Sequence, residues 1–167
     1  MKPNASYTER FEGWFVKPIE KLRELPEGDG GFLALSAALF LCERYYRTMT
    51  NTHENSSDDN AFKQEAARDL GVSLHDFMLF WRVYRHGIQH QGMPRKVYDK
   101  NANLTYKWHL DESFAGVPEI HQIDAQNSEI RLNPWKFAEL VIEKFRADPS
   151  LLQKATVHAF GEVIEKP

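Results

Sequence analysis

The chain has 167 residues, 42% of them hydrophobic and 27% charged, with a formal net charge of −3. That length and composition predict one globular domain large enough to bury a core. The negative balance excludes a protein that coats nucleic acid through bulk electrostatics. One cysteine, Cys42, rules out an intrachain disulfide and a Cys-based zinc site. The start, MKPNASYTERFEGWF, lacks the charged and apolar regions of a signal peptide. The longest apolar run, Gly31–Cys42, is far shorter than the roughly 20 residues a membrane span needs. The expectation is therefore a soluble, cytoplasmic protein with no membrane contact.

Along the chain, Phe11, Phe15, Ile19 and Leu22 recur at helical spacing and predict a first helix over about Tyr7–Leu25. Pro18 interrupts it, which calls for a kink or for two short helices. Pro26–Gly31 is turn material. Phe32–Met49 follows, apolar nearly all round in its first half, as expected of a central bundle helix. Its acid Glu43 is either a partner for a cationic site elsewhere or a solvated surface residue. Asn51–Asn60 reads as an exposed loop that includes His53, with Ser57 or Asp58 capping a short helix over about Asp59–Leu70 that Gly71 closes.

The most strongly patterned stretch is Ser73–Pro94, SLHDFMLFWRVYRHGIQHQGMP. Drawn at about 100° per residue, Leu74, Phe77, Phe80, Trp81, Tyr84 and Ile88 share one sector, and Arg82, Arg85, His86, Gln89 and His90 share roughly the opposite one. Ser73 is its N-cap, with Asp76 as a capping-box acid, and Gly92 and Pro94 stop it. Gly87 inside it costs about 1 kcal/mol relative to Ala, and either loosens the last turn or lets a backbone or a ligand approach closely. Between Arg82 and Lys100, Arg82, Arg85, Arg95, Lys96 and Lys100 stand against Asp99 alone, so a local basic site is possible on an acidic chain.

After Pro94 the period changes. Thr105–Leu110, Glu119–Asp124 and Glu129–Leu132 read as short strands of a small antiparallel appendage. Asn133-Pro134 opens a last clear helix, Trp135–Ala147, and a weaker helix or tail runs from Leu151 to about Val163. The fold class is thus mainly α: a bundle of four to five main helices with a small β appendage around residues 105–132, inserted before the last main helix.

Arg85-His86-Gly87-Ile88-Gln89-His90 has the form Arg, polar residue, three others, His. This resembles the signature of the HEPN superfamily, all-helical domains in which four to six residues separate an Arg from a following His. Arg85–Pro94 also looks like the form in some uncharacterised bacterial members, and the helix ending in Glu43 is similar to an early helix of that fold. The likeness covers roughly residues 7–95 and the last helix. Two other Arg/His pairs of similar spacing, Arg47 with His53 and Arg68 with His75, do not lie within one strong helix.

The resemblance implies a metal-independent endoribonuclease of the toxin or defence type, without cofactor. RNA is cut this way when a base removes the 2′-OH proton and the oxygen attacks the adjacent phosphate. A histidine titrates in the right range, and an arginine fork matches the phosphate. His90 is then the general base or acid, Arg85 the phosphate clamp and His86 an orienting or second proton-transfer group. Arg82, Gln89, Arg95 and Lys96 would contact substrate, with Glu43 as possible support. A helix C-terminus favours the protonated histidines, while Arg82 and Arg85 disfavour them. The resemblance further implies a homodimer whose two motifs face each other, with an antitoxin or regulatory protein as a possible partner.

Other readings stay open. The same fold can serve as a non-catalytic helical dimer that binds RNA, a nucleotide or a protein. Arg85 can be a structural partner of Glu43 or Asp76. His86 and His90 have a spacing that can ligate a metal, although no third ligand is evident. His109 and His121 read as strand or surface residues.

Overall fold

The computed structural model describes residues 5–52 and 60–153. It is mainly helical with a small sheet, as the periodicity predicts. The chain divides into two compact units, one running to Phe62 and resuming at Val141, the other Lys63–Leu140. No helix among the described residues is long and apolar enough to cross a membrane.

In the first unit, α1 runs over residues 7–22 without a break, as α-helical Tyr7–Phe11, a π-turn Glu12–Val16 and α-helical Lys17–Leu22. Ser6 and Glu9 form a reciprocal capping box at its start. A proline ring clashes with the carbonyl four residues earlier in a regular helix, and the widened turn just ahead of Pro18 gives it room. The expected interruption is therefore a π-turn inside one helix. Helix α2, Gly31–Thr50, is capped by left-handed Asn51 and buries Ala34, Leu35, Ala38, Leu39, Leu41 and Cys42. Phe11 packs on Phe145 with ring centroids 5.2 Å apart, and Tyr45 meets Phe145 edge-on at 5.3 Å. Glu12 takes both Nε and Nη2 of Arg146 at 3.0 Å. Glu43 accepts from Arg47 Nε at 2.9 Å, so the acid expected to support a cationic site has a partner one turn along its own helix.

Helix α3, Asn60–Asp69, ends at Gly71, which takes a positive φ as expected of a C-cap. Its proposed caps Ser57 and Asp58, the loop residue His53 and the tail beyond Gln153 lie outside the described residues. The stretch from Leu151 begins within a short 3₁₀ turn, Pro149–Leu152, with both leucines buried.

The second unit is organised by α4, residues 74–91, built of Leu74–Phe80, a second π-turn Trp81–Arg85 and His86–Gln91. Ser73 Oγ accepts from Asp76 N–H at 3.0 Å, while the Asp76 carboxylate pairs with His75. Gly92, at φ 71°, closes the helix. Phe77, Phe80, Trp81 and Tyr84 are buried, and Phe80 meets Phe137 at 5.6 Å.

A four-stranded sheet follows: β1 Val97–Asp99, β2 Leu104–Leu110, β3 Glu119–Gln122 and β4 Asn127–Leu132, in the order β1-β2-β4-β3. It begins earlier than expected, and its central pair β2/β4 is parallel, with Tyr106 opposite Ser128 and Trp108 opposite Ile130. The outer pairs are antiparallel. The expectation of an antiparallel appendage is corrected to a mixed sheet, because β4 returns between β2 and β3 after the connection from Asp111 to Pro118. The buried Tyr84 hydroxyl donates to Ile130 O at 2.7 Å and accepts from His109 N–H at 3.2 Å. One phenol thus joins α4 to both central strands. Asn133 caps α5, Pro134–Ala147, accepting from the N–H groups of Trp135 and Lys136.

Candidate functional site: the C-terminal turns of helix α4

The cationic end of α4 takes its shape from the π-turn. Five residues in a turn instead of about four shift everything beyond it by roughly 100° relative to a regular helix. A widened turn also offers carbonyls to donors outside the helix. Here Arg95 supplies them: its N–H donates to Val83 O at 2.9 Å and its Nε to Arg82 O at 3.0 Å. The segment after Gly92 is thereby folded back along the helix, and Gly87 is where it lies closest. A Cβ on Gly87 would stand 2.7 Å from Arg95 N, 2.8 Å from Met93 O and 2.9 Å from Pro94 Cα. Of the roles open to Gly87, close approach of a backbone is the one observed.

Arg85, grouped with the polar face in the sequence, is buried, at 7% exposure. Its Nη1 donates to Gln89 Oε1 at 2.5 Å. Gln89, expected to contact substrate, accepts this bond from Arg85 and is itself exposed. His86 is half-buried and His90 exposed. Their rings meet edge-on with centroids 6.1 Å apart, one helical turn from each other.

His86 is the centre of the cluster electrostatically. Burial holds its pKa below the ordinary histidine range, and the charges of Arg95, Lys63, His90 and Arg85 push the same way. The opposing pull of a helix C-terminus does not prevail here. Lys63 comes from α3 and is itself buried. It was not among the residues singled out from the sequence: nothing in its spacing reveals that α3 and α4 bring it to His86.

Beside this cluster lies an open depression of about 610 Å³, lined by Arg82, Gln91, Pro94, Arg95, Lys96, Val97 and Tyr98. Three of the four expected substrate contacts, Arg82, Arg95 and Lys96, therefore share one concave surface. Arg95 belongs to both places, lining the depression and acting on His86. Tyr98 is 54% exposed, and its hydroxyl donates to Asn103 Oδ1 at 2.7 Å across the β1–β2 turn. The sequence marks Tyr98 only as an aromatic two residues after the cations Arg95 and Lys96, and its exposure comes from the structure.

Other titratable groups sort differently. His109 Nδ1 lies 3.0 Å from Glu129 Oε2, and Arg131 approaches the same carboxylate at 3.3 Å. Histidine and arginine together hold Glu129 below the usual carboxylate range. His121 is exposed on β3. Among the described residues no three His, Cys, Asp or Glu side chains come together to hold a metal ion.

A partly desolvated histidine amid fixed cations can accept a proton from a substrate hydroxyl, while the cations meet a substrate anion. That capacity follows from the geometry of these residues alone: no family model, curated protein or solved structure that the chain was compared with matches it.

Proposed function

We propose that the end of α4 is the centre of a metal-independent endoribonuclease. The carrying observation is a partly buried His86, its ring 6.1 Å from that of His90, lowered in pKa by burial and by the charges of Arg95, Lys63, His90 and Arg85. A neutral histidine is a competent base at neutral pH, and its cationic surroundings favour the phosphodiester that RNA brings. In this reading His86 takes the 2′-OH proton. The 2′ oxygen bonds to phosphorus as the bond to the 5′ oxygen breaks, leaving a 2′,3′-cyclic phosphate. The departing 5′ oxygen takes a proton from His90, which is exposed and one turn away. Arg85, steadied by Gln89, stabilises the charge that develops on the phosphorane.

The resemblance to HEPN domains supports the same chemistry and adds a homodimer in which two such helix ends face each other. Light scattering at micromolar concentration checks this: a dimer is expected, and a strict monomer would contradict a composite site. Toxin or defence activity, with an antitoxin or regulator as partner, is the biological setting the resemblance suggests.

The test is incubation of pure protein with mixed RNAs, with and without EDTA, beside Arg85→Ala, His86→Ala and His90→Ala. Cleavage that survives EDTA and falls at least about a hundredfold in each variant is expected, since acid–base groups contribute about 10²–10⁴-fold. The second reading is a non-catalytic helical dimer that binds RNA, a nucleotide or a protein. The burial of Arg85 and its bond to Gln89 favour it, because a structural arginine is held in the same way. Clean wild-type protein that cuts no RNA would establish that reading over the first.

A further inference from the structure

We propose that the depression beside the helix end is a binding site for single-stranded RNA, with one base stacked on Tyr98 and the adjoining phosphates on Arg82, Arg95 and Lys96. It rests on the ribonuclease reading only for the choice of RNA over other polynucleotides.

Three independent observations support this. First, Arg82, Arg95 and Lys96 line one concave surface, and none of them forms an ion pair with a carboxylate among the described residues. Surface cations of a chain with net charge −3 ordinarily find acids nearby. Three together without one form an anion site in a negative background. Secondly, Arg95 is fixed. Its backbone N–H and its Nε are both bonded to α4 carbonyls, so its charge is preorganised at the rim. Thirdly, the Tyr98 ring is more than half exposed, while its hydroxyl is tied to Asn103. Asp99 accepts from the N–H groups of Asn101 and Ala102, which sets the turn that carries Asn103. An aromatic residue more than half exposed and anchored through its hydroxyl can serve as a stacking platform.

The combination selects the ligand. A free phosphate would use the cations and leave the ring idle. A duplex would present phosphates but no unstacked base. A single strand satisfies both, since every base has a face to stack and a phosphate beside it. The volume, about 610 Å³, lies within the roughly 300–1,000 Å³ of small-ligand sites and accommodates a nucleotide. Arg95 borders both the depression and His86, so a strand lying here runs toward the histidines.

The test uses the full chain and a 2′-O-methyl RNA of about eight nucleotides, which cannot be cut by 2′-OH attack, so binding is read apart from cleavage. Fluorescence anisotropy of the wild type, Tyr98→Ala, Tyr98→Phe and the double variant Arg82→Gln/Lys96→Gln is compared, with circular dichroism as the folding control. Removing the ring should weaken binding at least about fivefold, the lower end of measured base–aromatic stacking. Phe, which keeps the ring, should bind more tightly than Ala. For the wild type, log affinity should fall with log salt at a slope of about −2, and at about −0.7 in the double variant. A duplex of the same sequence should bind less tightly than the single strand, and inorganic phosphate should compete only weakly. A loss below about fivefold in folded Tyr98→Ala, Phe no better than Ala, or a duplex bound as tightly as the strand would overturn the proposal. Binding without cleavage of the all-ribose strand would remove the ribonuclease reading and leave this one standing. Cleavage without binding would do the reverse.

Discussion

At the scale of single residues, His86 departs most from what its type alone predicts. Burial and the nearby cations lower its folded-state pKa below the unfolded value of about 6.5. Between those two values the unfolded chain holds the proton and the folded chain does not, so stability rises with pH through that window. The contribution is complete above about 6.5 and is lost as pH falls through the folded-state value. Urea unfolding at a series of pH values should show this slope, and His86→Gln should flatten it. An NMR titration placing the His86 midpoint above 6.5 would contradict the assignment. Tyr84 makes a second residue-level prediction. Its hydroxyl serves His109 and Ile130 in a buried place, so Tyr84→Phe should cost about 1–3 kcal/mol in denaturant unfolding. Arg85, His86 and His90 were legible as a group because they occupy one short stretch. Lys63 was not, because its membership depends on how two helices meet.

At the scale of elements, the π-turn Trp81–Arg85 lies where α4 passes from its apolar half to its cationic end. At a constant angle of about 100° per residue, Arg85 lies only about 40° from Trp81, at the edge of the apolar sector, so grouping it with the open polar face overlooked a border position, and the structure buries it. No residue type signals such a turn in advance in the way that Pro18 signals a disturbance in α1. Gly87 makes the element's geometry testable. Alanine is the better helix former by about 1 kcal/mol, yet its Cβ would press on the backbone of residues 93–95. Gly87→Ala should therefore destabilise the protein by about 1–3 kcal/mol, as overpacking does, and thermal unfolding would show it. A stabilised Gly87→Ala would mean that the segment after Gly92 does not lie on the helix as described. In the sheet, the alternation of Tyr106, Trp108 and Leu110 with polar residues correctly identified β2 as a strand. Alternation reports a face and not a direction, which is why the parallel β2/β4 pairing was not legible. Ile130, fully buried at the centre of that pairing, should cost about 2–5 kcal/mol when cut to Ala.

At the scale of the whole molecule, the mainly helical class with a small β appendage followed from where the hydrophobic period is helical and where it alternates. Composition could not reveal the division into two compact units, with its boundaries at Phe62/Lys63 and Leu140/Val141, because both boundaries fall within helices and no linker marks them. The charge distribution is the other whole-molecule property that matters for function. A net −3 argues against broad affinity for nucleic acid, while Arg82, Arg95, Lys96, Lys63 and Arg85 gather in one unit around His86 and the depression beside it. Such a molecule should bind RNA locally and release it readily as salt rises.

The central claim is that this cluster cuts RNA through the 2′-hydroxyl without a metal. The most direct measurement is the chemistry of the 3′ ends left after wild-type protein acts on RNA in EDTA. The expected ends are 2′,3′-cyclic phosphates, with 5′-hydroxyls on the other fragment. Ends bearing 3′-hydroxyls, or intact RNA, would contradict it.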